Sequence, residues 1–189
     1  MLQRVFYTLG QMFKWRKALR LLDTNHLETI INLTPEMLVK NRVKYLALDF
    51  DGVLASHGKP EMHPEVMGWL TKFVAKFSED RVFILSNKPT QERLKYFNKH
   101  FPQIRFISGV AKKPYPDGLN KILELVGCQP GELALVDDRL LTGCLACLIA
   151  GCYPILITSP YVDRDNYTKE ERFFGFLRYC EQKIFPPKP

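Results

Sequence analysis

The stretch Leu46-Ala47-Leu48-Asp49-Phe50-Asp51-Gly52-Val53-Leu54 brings two carboxylates directly after an apolar run that begins at Val43. A short run of this kind predicts a strand covered on both faces, as in a parallel sheet. Side chains two residues apart on an extended segment point the same way, so Asp49 and Asp51 can converge on one reacting group. This pattern suits a carboxylate nucleophile paired with a general acid/base around a hard cation.

Strand-like and helix-like segments alternate along the rest of the 189 residues, which predicts one α/β domain with a parallel sheet. The predicted strands are residues 43–49, 81–85, 104–107, 133–136 and 153–157. The predicted helices are residues 64–77, 90–99, 117–126, 140–150 and 168–184, after a helix start at Thr34-Pro35 and an amphipathic helix near the N-terminus. The first strand should be central, because it and the fourth both end in acids that must meet. The strand order is then 3-2-1-4-5, with ligands bound at the carboxyl ends of the strands.

Three further segments along the chain contain polar groups that could join Asp49 and Asp51 in one site. They are Ile84-Leu85-Ser86-Asn87, Lys112-Lys113-Pro114 and Leu135-Val136-Asp137-Asp138. Together with Asp49-Phe50-Asp51-Gly52 they follow the four motifs of the haloacid-dehalogenase superfamily of phosphotransferases, which the chain resembles between Val43 and Ile157. The resemblance implies a three-layer Rossmann-like fold with a parallel five-stranded sheet.

The resemblance also implies roles for the first and last motifs. Asp49 is the nucleophile that becomes an aspartyl-phosphate, and Asp51 protonates the leaving oxygen and then activates water. A phosphate beside two acids would be repelled, so a cation is needed. The implied ion is Mg²⁺, held by the Asp49 carboxylate, the Asp51 backbone carbonyl and Asp138. The alternative for the first motif is a loop acid that caps a turn.

The second and third motifs supply groups for the substrate phosphate. Ser86 offers a hydroxyl, and the backbone N–H groups from Asn87 onward can bind a phosphate oxygen at a helix start. Ser86 as a simple helix N-cap is the alternative. Lys113 is taken as the motif lysine rather than Lys112, because Pro114 follows it as in the family pattern. Its ordinary alternative is a solvated surface lysine.

The fourth motif departs from the family pattern. Close relatives place a second acid about one turn after the first, where this chain has Gly143. Asp137, immediately before Asp138, can supply the missing carboxylate. His57 and His63 flank the loop after Asp51 and are interpreted as surface or loop residues.

The spacing between motifs leaves no room for a cap domain, since each gap holds only one or two short elements. An open cleft is therefore expected, which suits a phosphate displayed on something large. Within the superfamily the chain most resembles the phosphatidylglycerophosphate phosphatase branch. The residues that carry this likeness are Leu33-Thr34-Pro35-Glu36, Ala111-Lys112-Lys113-Pro114, residues 138–142 and the Arg/Tyr-rich final helix. Enzymes of that branch dephosphorylate phosphatidylglycerophosphate to phosphatidylglycerol at a membrane face.

The first twenty-two residues are basic and contain no acid, within a chain of net charge +7. Their apolar stripe comprises Leu2, Val5, Phe6, Leu9, Met12 and Phe13, and their cations are Arg4, Lys14, Arg16, Lys17 and Arg20. This composition favours an interfacial helix on an anionic membrane. A helix packed on the domain and a mitochondrial transit peptide are alternatives. The chain is thus divided into an N-terminal helical segment (1–40), a phosphatase core (41–160) and a C-terminal helix and tail (161–189).

Other function classes stay open from the sequence. A phosphatase acting on nucleic-acid, sugar or protein phosphates and a non-catalytic anion-binding scaffold are the alternatives. Direct nucleic-acid binding is disfavoured, because the basic residues cluster at the N-terminus and no RNA-binding motif is present. The five cysteines are interpreted as small core residues of a reducing compartment. The expected location is the cytoplasmic face of the membrane in a bacterium, or the matrix side in a mitochondrion.

Overall fold

A computed structural model describes residues 2–21, 26–163 and 168–185, which contain a six-stranded parallel sheet. The strands are β1 (His26–Leu27), β2 (Tyr45–Leu48), β3 (Val82–Ile84), β4 (Arg105–Phe106), β5 (Leu133–Asp137) and β6 (Tyr153–Ile157). Their order across the sheet is β1-β6-β5-β2-β3-β4. This confirms the predicted order of the five predicted strands, which are β2 to β6.

The sixth strand, β1, was not predicted. It adds to the edge of the sheet by pairing His26 with Leu156 and Leu27 with Ile157. Two residues are too few to show an alternating pattern, so this strand depends on its neighbour rather than on its own sequence.

Strand β2 is central, as its apolar sequence requires. Leu46, Ala47 and Leu48 are fully buried, and Leu48 pairs with Ile84 on one side and Val136 on the other. The Asp49 N–H donates to the Val136 carbonyl at 2.9 Å, continuing the ladder by one bond. Asp49 is therefore fixed at the carboxyl end of the sheet.

The helices are α1 (Leu2–Leu21), α2 (Pro35–Lys40), α3 (Pro64–Phe77), α4 (Gln91–His100), α5 (Asp117–Val126), α6 (Leu145–Ala150) and α7 (Lys169–Ile184). One apolar cluster joins Leu46 and Leu48 to α2, α3 and α4. The other joins Ala47 and Phe83 to α5 and α6. The alternation of side chains along β2 thus produces the predicted three layers. The helix predicted from residue 140 begins with a π turn, Leu140–Cys144.

Helix α1 has two unlike halves. Met12, Trp15 and Leu19 in its second half join an apolar cluster with Leu145 and Phe185. The side chains of Leu2, Val5, Phe6, Leu9 and Phe13 are exposed. The predicted stripe is therefore divided between packing and exposure, and the Arg20 side chain lies outside the described part. No helix among the described residues is both long and apolar enough to cross a membrane.

Three of the cysteines, Cys144, Cys147 and Cys152, are buried, and the other two are half-buried. All five are free thiols. Burial raises the pKa of the Cys144 and Cys147 thiols. The pair at 144 and 147 is thus core packing on the sheet. The tail after Phe185, which the sequence assigns to the C-terminal segment, lies outside the described residues.

Candidate active site

Four charged side chains meet where β2 and β5 end. The Lys113 Nζ lies 3.0 Å from Asp49 Oδ1 and 2.5 Å from Asp137 Oδ2, and Asp138 completes the group. Asp137, Asp138 and Lys113 are buried, whereas Lys112 is exposed. The structure therefore places Lys113, rather than its neighbour, beside the candidate nucleophile.

Burial and mutual repulsion set the charge state of these acids. Burial raises the pKa of Asp49 well above its usual range, against the opposing effect of Lys113 and with added repulsion from Asp137 and Asp138. Burial and Asp137 likewise raise the pKa of Asp138 to about 7. Burial alone would lower the pKa of Lys113, but Asp137 and Asp49 outweigh it and raise that pKa. The three carboxylates still outnumber Lys113 and Arg178, the cations paired with them, and a further cation would stabilise the cluster.

The donor set fits a hard divalent cation. One oxygen from each of Asp49, Asp137 and Asp138 can lie within 4.8 Å of the others. Carboxylate oxygens are the ligands that Mg²⁺ prefers. Gly52 supports this geometry, because its φ of 84° favours glycine and a Cβ there would lie 2.5 Å from Asp138 Oδ2. The predicted acids therefore converge, with Asp137 as the third carboxylate.

Gly143 is a glycine because Asp137 fills the space above it. A Cβ at this position would overlap the Asp137 carboxylate. The second acid that the family pattern places here has no room in this chain. Asp137 is held in that space by Lys113 and by the Arg139 N–H, which donates to Asp137 Oδ1 at 2.9 Å.

Asp51 is bound by an arginine that the sequence did not indicate. Arg93 Nη1 and Nη2 donate to the two Asp51 oxygens at 2.9 and 2.6 Å, and its guanidinium lies 3.9 Å from the centre of the Phe50 ring. Burial would raise the pKa of Asp51, but Arg93 outweighs it and the pKa is lowered. In this arrangement Asp51 is ionised, and the pairing with Arg93 weakens it as a base.

Ser86 and Asn87 lie at the end of β3, next to the lysine motif. The Ser86 Oγ accepts from the Lys88 N–H at 3.1 Å, so the hydroxyl caps the following turn. The Asn87 side chain accepts from the Lys113 N–H at 2.9 Å. Asn87 thus fixes the backbone that carries Lys113, and its role at a phosphate stays a prediction.

Helix α7 lies across the loops at this end of the sheet. Arg178 Nη1 donates to Asp138 Oδ2 at 2.6 Å. Glu181 accepts from Arg139 Nε and from the Leu140 N–H, at 2.9 and 3.0 Å. The segments between motifs hold no cap, as predicted, and α7 covers the Asp138 side of the site. The expected open cleft stays a prediction for the rest of the site. The cavity beside Asp138, Arg178 and Glu181 is about 20 Å³, room for a single water.

His57 lies in a loop, as expected, but its side chain is only 10% exposed. Its ring stacks on Phe174 of α7, with centroids 4.4 Å apart. The His57 backbone N–H donates to Glu171 Oε1 at 2.9 Å. Its Nδ1 lies 3.3 Å from Glu171 Oε2, outside hydrogen-bond geometry. Burial lowers the pKa of His57, although Asp51 and Glu171 oppose this. His63 is exposed and stacks on Tyr161, as a loop residue can.

A larger groove, about 670 Å³, opens beside the loop that follows Asp51. Its lining includes Ala55, Lys59, His63 and Asp163. None of Asp49, Lys113, Asp137 and Asp138 lines this groove, so it is separate from the acid cluster. The residues that sequence reasoning missed are Arg93, Glu171, Arg178 and Glu181, all on helices whose charged residues are ordinarily assigned to solvent.

Known proteins resemble this chain in sequence and in structure. A model of the mitochondrial PGP phosphatase family matches residues 12–162. The chain is 26% identical over 162 residues to the probable phosphatase YqeG of Bacillus subtilis strain 168, covering 83% of this chain and 91% of that protein. One solved structure aligns with a TM-score of 0.53 at 16% identity, covering 75% of this chain and 82% of that one. An uncharacterized protein from Listeria monocytogenes serotype 4b aligns with a TM-score of 0.48 at 17% identity, over 64% of this chain and 82% of that one.

The structural likeness supports the fold, and the sequence match extends over most of the chain. The matched residues include the ends of β2 and β5, where Asp49, Asp137 and Asp138 meet Lys113. The chain therefore belongs to the mitochondrial PGP phosphatase family, within the haloacid-dehalogenase superfamily of phosphatases.

Proposed function

We propose that this phosphatase is a Mg²⁺-dependent phosphomonoester hydrolase that works through an aspartyl-phosphate at Asp49. The observation that carries the proposal is the position of Asp49, with a lysine ammonium 3.0 Å away and two further acids within reach of one cation. A bound Mg²⁺ would neutralise charge on the phosphate and the acids. Asp49, Asp137 and Asp138 are the side chains that would hold it, with the Asp51 carbonyl.

Two displacements at phosphorus account for hydrolysis. In the first, an Asp49 oxygen bonds to phosphorus as the ester oxygen leaves and takes a proton from Asp51. In the second, water bonds to phosphorus, gives its proton to Asp51 and releases phosphate, which regenerates the Asp49 carboxylate. Arg93 holds Asp51 ionised in the structure, so Asp51 must leave that pairing and take up a proton before the first displacement. Between the two displacements Asp51 is ionised again, and the proton from water restores its protonated form.

The proposed substrate is phosphatidylglycerophosphate at an anionic membrane surface. The family name supports this substrate class. So does α1, whose exposed apolar residues Phe6 and Phe13 are accompanied by exposed Lys14, Arg16 and Lys17. Such a helix enters the acyl boundary while its cations meet head groups, at about 1 kcal/mol for each basic residue near the surface. We assign the enzyme to the matrix side of a mitochondrial membrane, or to the cytoplasmic face in a bacterium.

Phosphate release from a panel of lipid, nucleotide, sugar and peptide phosphates, with Mg²⁺ or with a chelator, tests the function. Turnover should be greatest on vesicle-borne phosphatidylglycerophosphate and should stop without the metal. Asp49→Asn should lower turnover by several orders of magnitude, since an amide cannot attack phosphorus. The exposed Asp80→Asn is the matched control. Near-normal turnover in Asp49→Asn would contradict the mechanism, and a preferred nucleotide or peptide phosphate would contradict the substrate.

The membrane part is tested with Phe6→Ser combined with Phe13→Ser. These exposed positions can change without disturbing the packed half of α1. Activity on vesicles should fall while activity on a soluble aryl phosphate is kept, and added salt should have a similar effect. Equal activity of the variant on vesicles would mean that α1 is a structural element only.

A further inference from the structure

Helix α7 presents unlike side chains to the site and to solvent. The residues that face the site are Glu171, Phe174, Arg178 and Glu181. The exposed residues include Phe173, Phe176 and Tyr179, at 54%, 62% and 57% of their full exposure. Large exposed aromatics aligned on one helix mark an interaction surface.

We propose that α7 is a lid whose outer face docks on an anionic lipid surface, and that docking withdraws its inner face from the active site. This rests on the proposed function, because a lipid-borne phosphate must meet Asp49 at the same surface. The lid would be a second membrane contact, distinct from α1, and membrane binding there would open the active site.

The inner face holds three separate parts of the site closed. Glu171 accepts from the His57 N–H in the loop after Asp51. Arg178 pairs with Asp138, an acid of the proposed metal site. Glu181 binds Arg139 and the Leu140 N–H, next to Asp138. The cavity between α7, Asp138 and the end of β6 has room for about one water. A phosphate ester can therefore occupy this side of Asp138 only if α7 moves.

The outer face matches an anionic lipid surface in charge as well as in apolarity. Lys169, Arg172 and Lys183 are exposed beside the aromatic residues. Among the described residues of α7, the one exposed acid is Glu170, and it is paired with Lys88 at 3.2 Å. Basic residues with aromatic anchors are the composition of helices that lie in a membrane interface.

The lid is also joined to the helix proposed to bind the membrane. Phe185, directly after α7, packs in the same apolar cluster as Trp15 and Leu19 of α1. A lipid surface that binds α1 is therefore close to one end of α7. The backbone N–H groups of His57 and Leu140 donate to the carboxylates of Glu171 and Glu181 on α7. The loss of these two hydrogen bonds can therefore be followed by amide exchange.

Hydrogen exchange of the full-length protein tests the lid at those two amides. Vesicles containing phosphatidylglycerol should accelerate exchange at His57 and Leu140 by about tenfold or more, whereas phosphatidylcholine vesicles should not. The Lys113 N–H, bonded to Asn87, is the internal reference and should keep its rate.

Phe176→Ser combined with Tyr179→Ser should abolish the acceleration without lowering the melting temperature, since both side chains are exposed. Val39→Ser, at a 71% exposed apolar position elsewhere, is the matched control and should retain it. Unchanged exchange at both amides on phosphatidylglycerol vesicles, or acceleration that persists in the α7 variant, would overturn the proposal.

Hydrolysis measured on the same vesicles separates this proposal from the proposed function. Faster exchange without hydrolysis of phosphatidylglycerophosphate would support the lid and contradict the proposed substrate. Hydrolysis with unchanged exchange would support the substrate and contradict the lid.

Discussion

The carboxyl ends of β2 and β5 and the helix α7 contribute to one site in different ways. Asp137 is the last residue of β5, and Asp49 and Asp138 directly follow β2 and β5, so the sheet fixes their backbone positions. Glu171 and Arg178 reach the same site from positions 114 and 40 residues further along the chain than their partners. In our proposal the strand ends supply the chemistry, and α7 controls access to it. The variants below are arranged to separate these two contributions.

The largest loss of stability and activity is expected when Lys113, the cation beside Asp49 and Asp137, is removed. Lys113→Met removes the partner of the fully buried Asp137, which should cost about 3–5 kcal/mol of unfolding free energy. Turnover should fall at least about a hundredfold, because the nucleophile loses its screening charge. Denaturant unfolding and a soluble aryl phosphate assay measure both. The exposed Lys112→Met should change neither, and equal losses in the two variants would remove Lys113 from the site.

The next two variants test whether Asp137 takes the place of the acid that the family pattern puts at position 143. Gly143→Asp should destabilise the fold by about 1–3 kcal/mol, because its side chain overlaps the Asp137 carboxylate. Asp137→Asn should weaken Mg²⁺ binding, as one of three clustered carboxylates is lost. Calorimetric titration with Mg²⁺ reads the second effect. Tighter Mg²⁺ binding in Gly143→Asp would show that the position is available after all.

A pH profile tests the pairing of Asp51 with Arg93. Arg93→Met should raise the pKa of Asp51, since burial then acts without the opposing guanidinium. Because the leaving oxygen takes its proton from protonated Asp51 in the first displacement, which governs kcat/KM, the alkaline limb of kcat/KM should move to higher pH. Arg105→Met is a matched control, as Arg105 also lies over a phenylalanine ring but on edge strand β4. An unmoved alkaline limb would mean that another group titrates there.

The smallest effect is expected from α7 alone. Arg178→Gln should tighten Mg²⁺ a few-fold, because the guanidinium and the metal share the Asp138 carboxylate. The control is Arg172→Gln, an exposed position on the same helix. Calorimetry of both variants decides the matter. Unchanged affinity in Arg178→Gln would leave α7 as a passive cover over the site.

The fold and the acids could be predicted because they depend on local patterns. The apolar run before Asp49 predicts a buried strand, and its position next to the strand before Asp137 follows from the order of elements. The role of α7 could not be predicted in this way. Periodicity assigns the aromatic residues of a helix to the core and its charged residues to solvent, whereas here Glu171 and Glu181 are buried and Phe176 is exposed.

Arg93 and Gly143 show the same limit at single positions. Arg93 lies in the first turn of α4, and only the tertiary structure brings it to Asp51. Gly143 looked like a missing acid, and only the packed structure shows the Asp137 carboxylate in its place. Side chains that act across long sequence separations leave no local pattern to find.

The central claim is that Asp49 is the nucleophile, and a covalent phosphate on it is the most direct test. The enzyme is mixed with Mg²⁺ and substrate, quenched in acid within one turnover, and digested for mass spectrometry. We expect phosphate on the peptide that contains residues 45–54, at Asp49, and none in Asp49→Asn. Steady release of phosphate with no covalent phosphate at Asp49, or with the phosphate on another residue, would contradict the account.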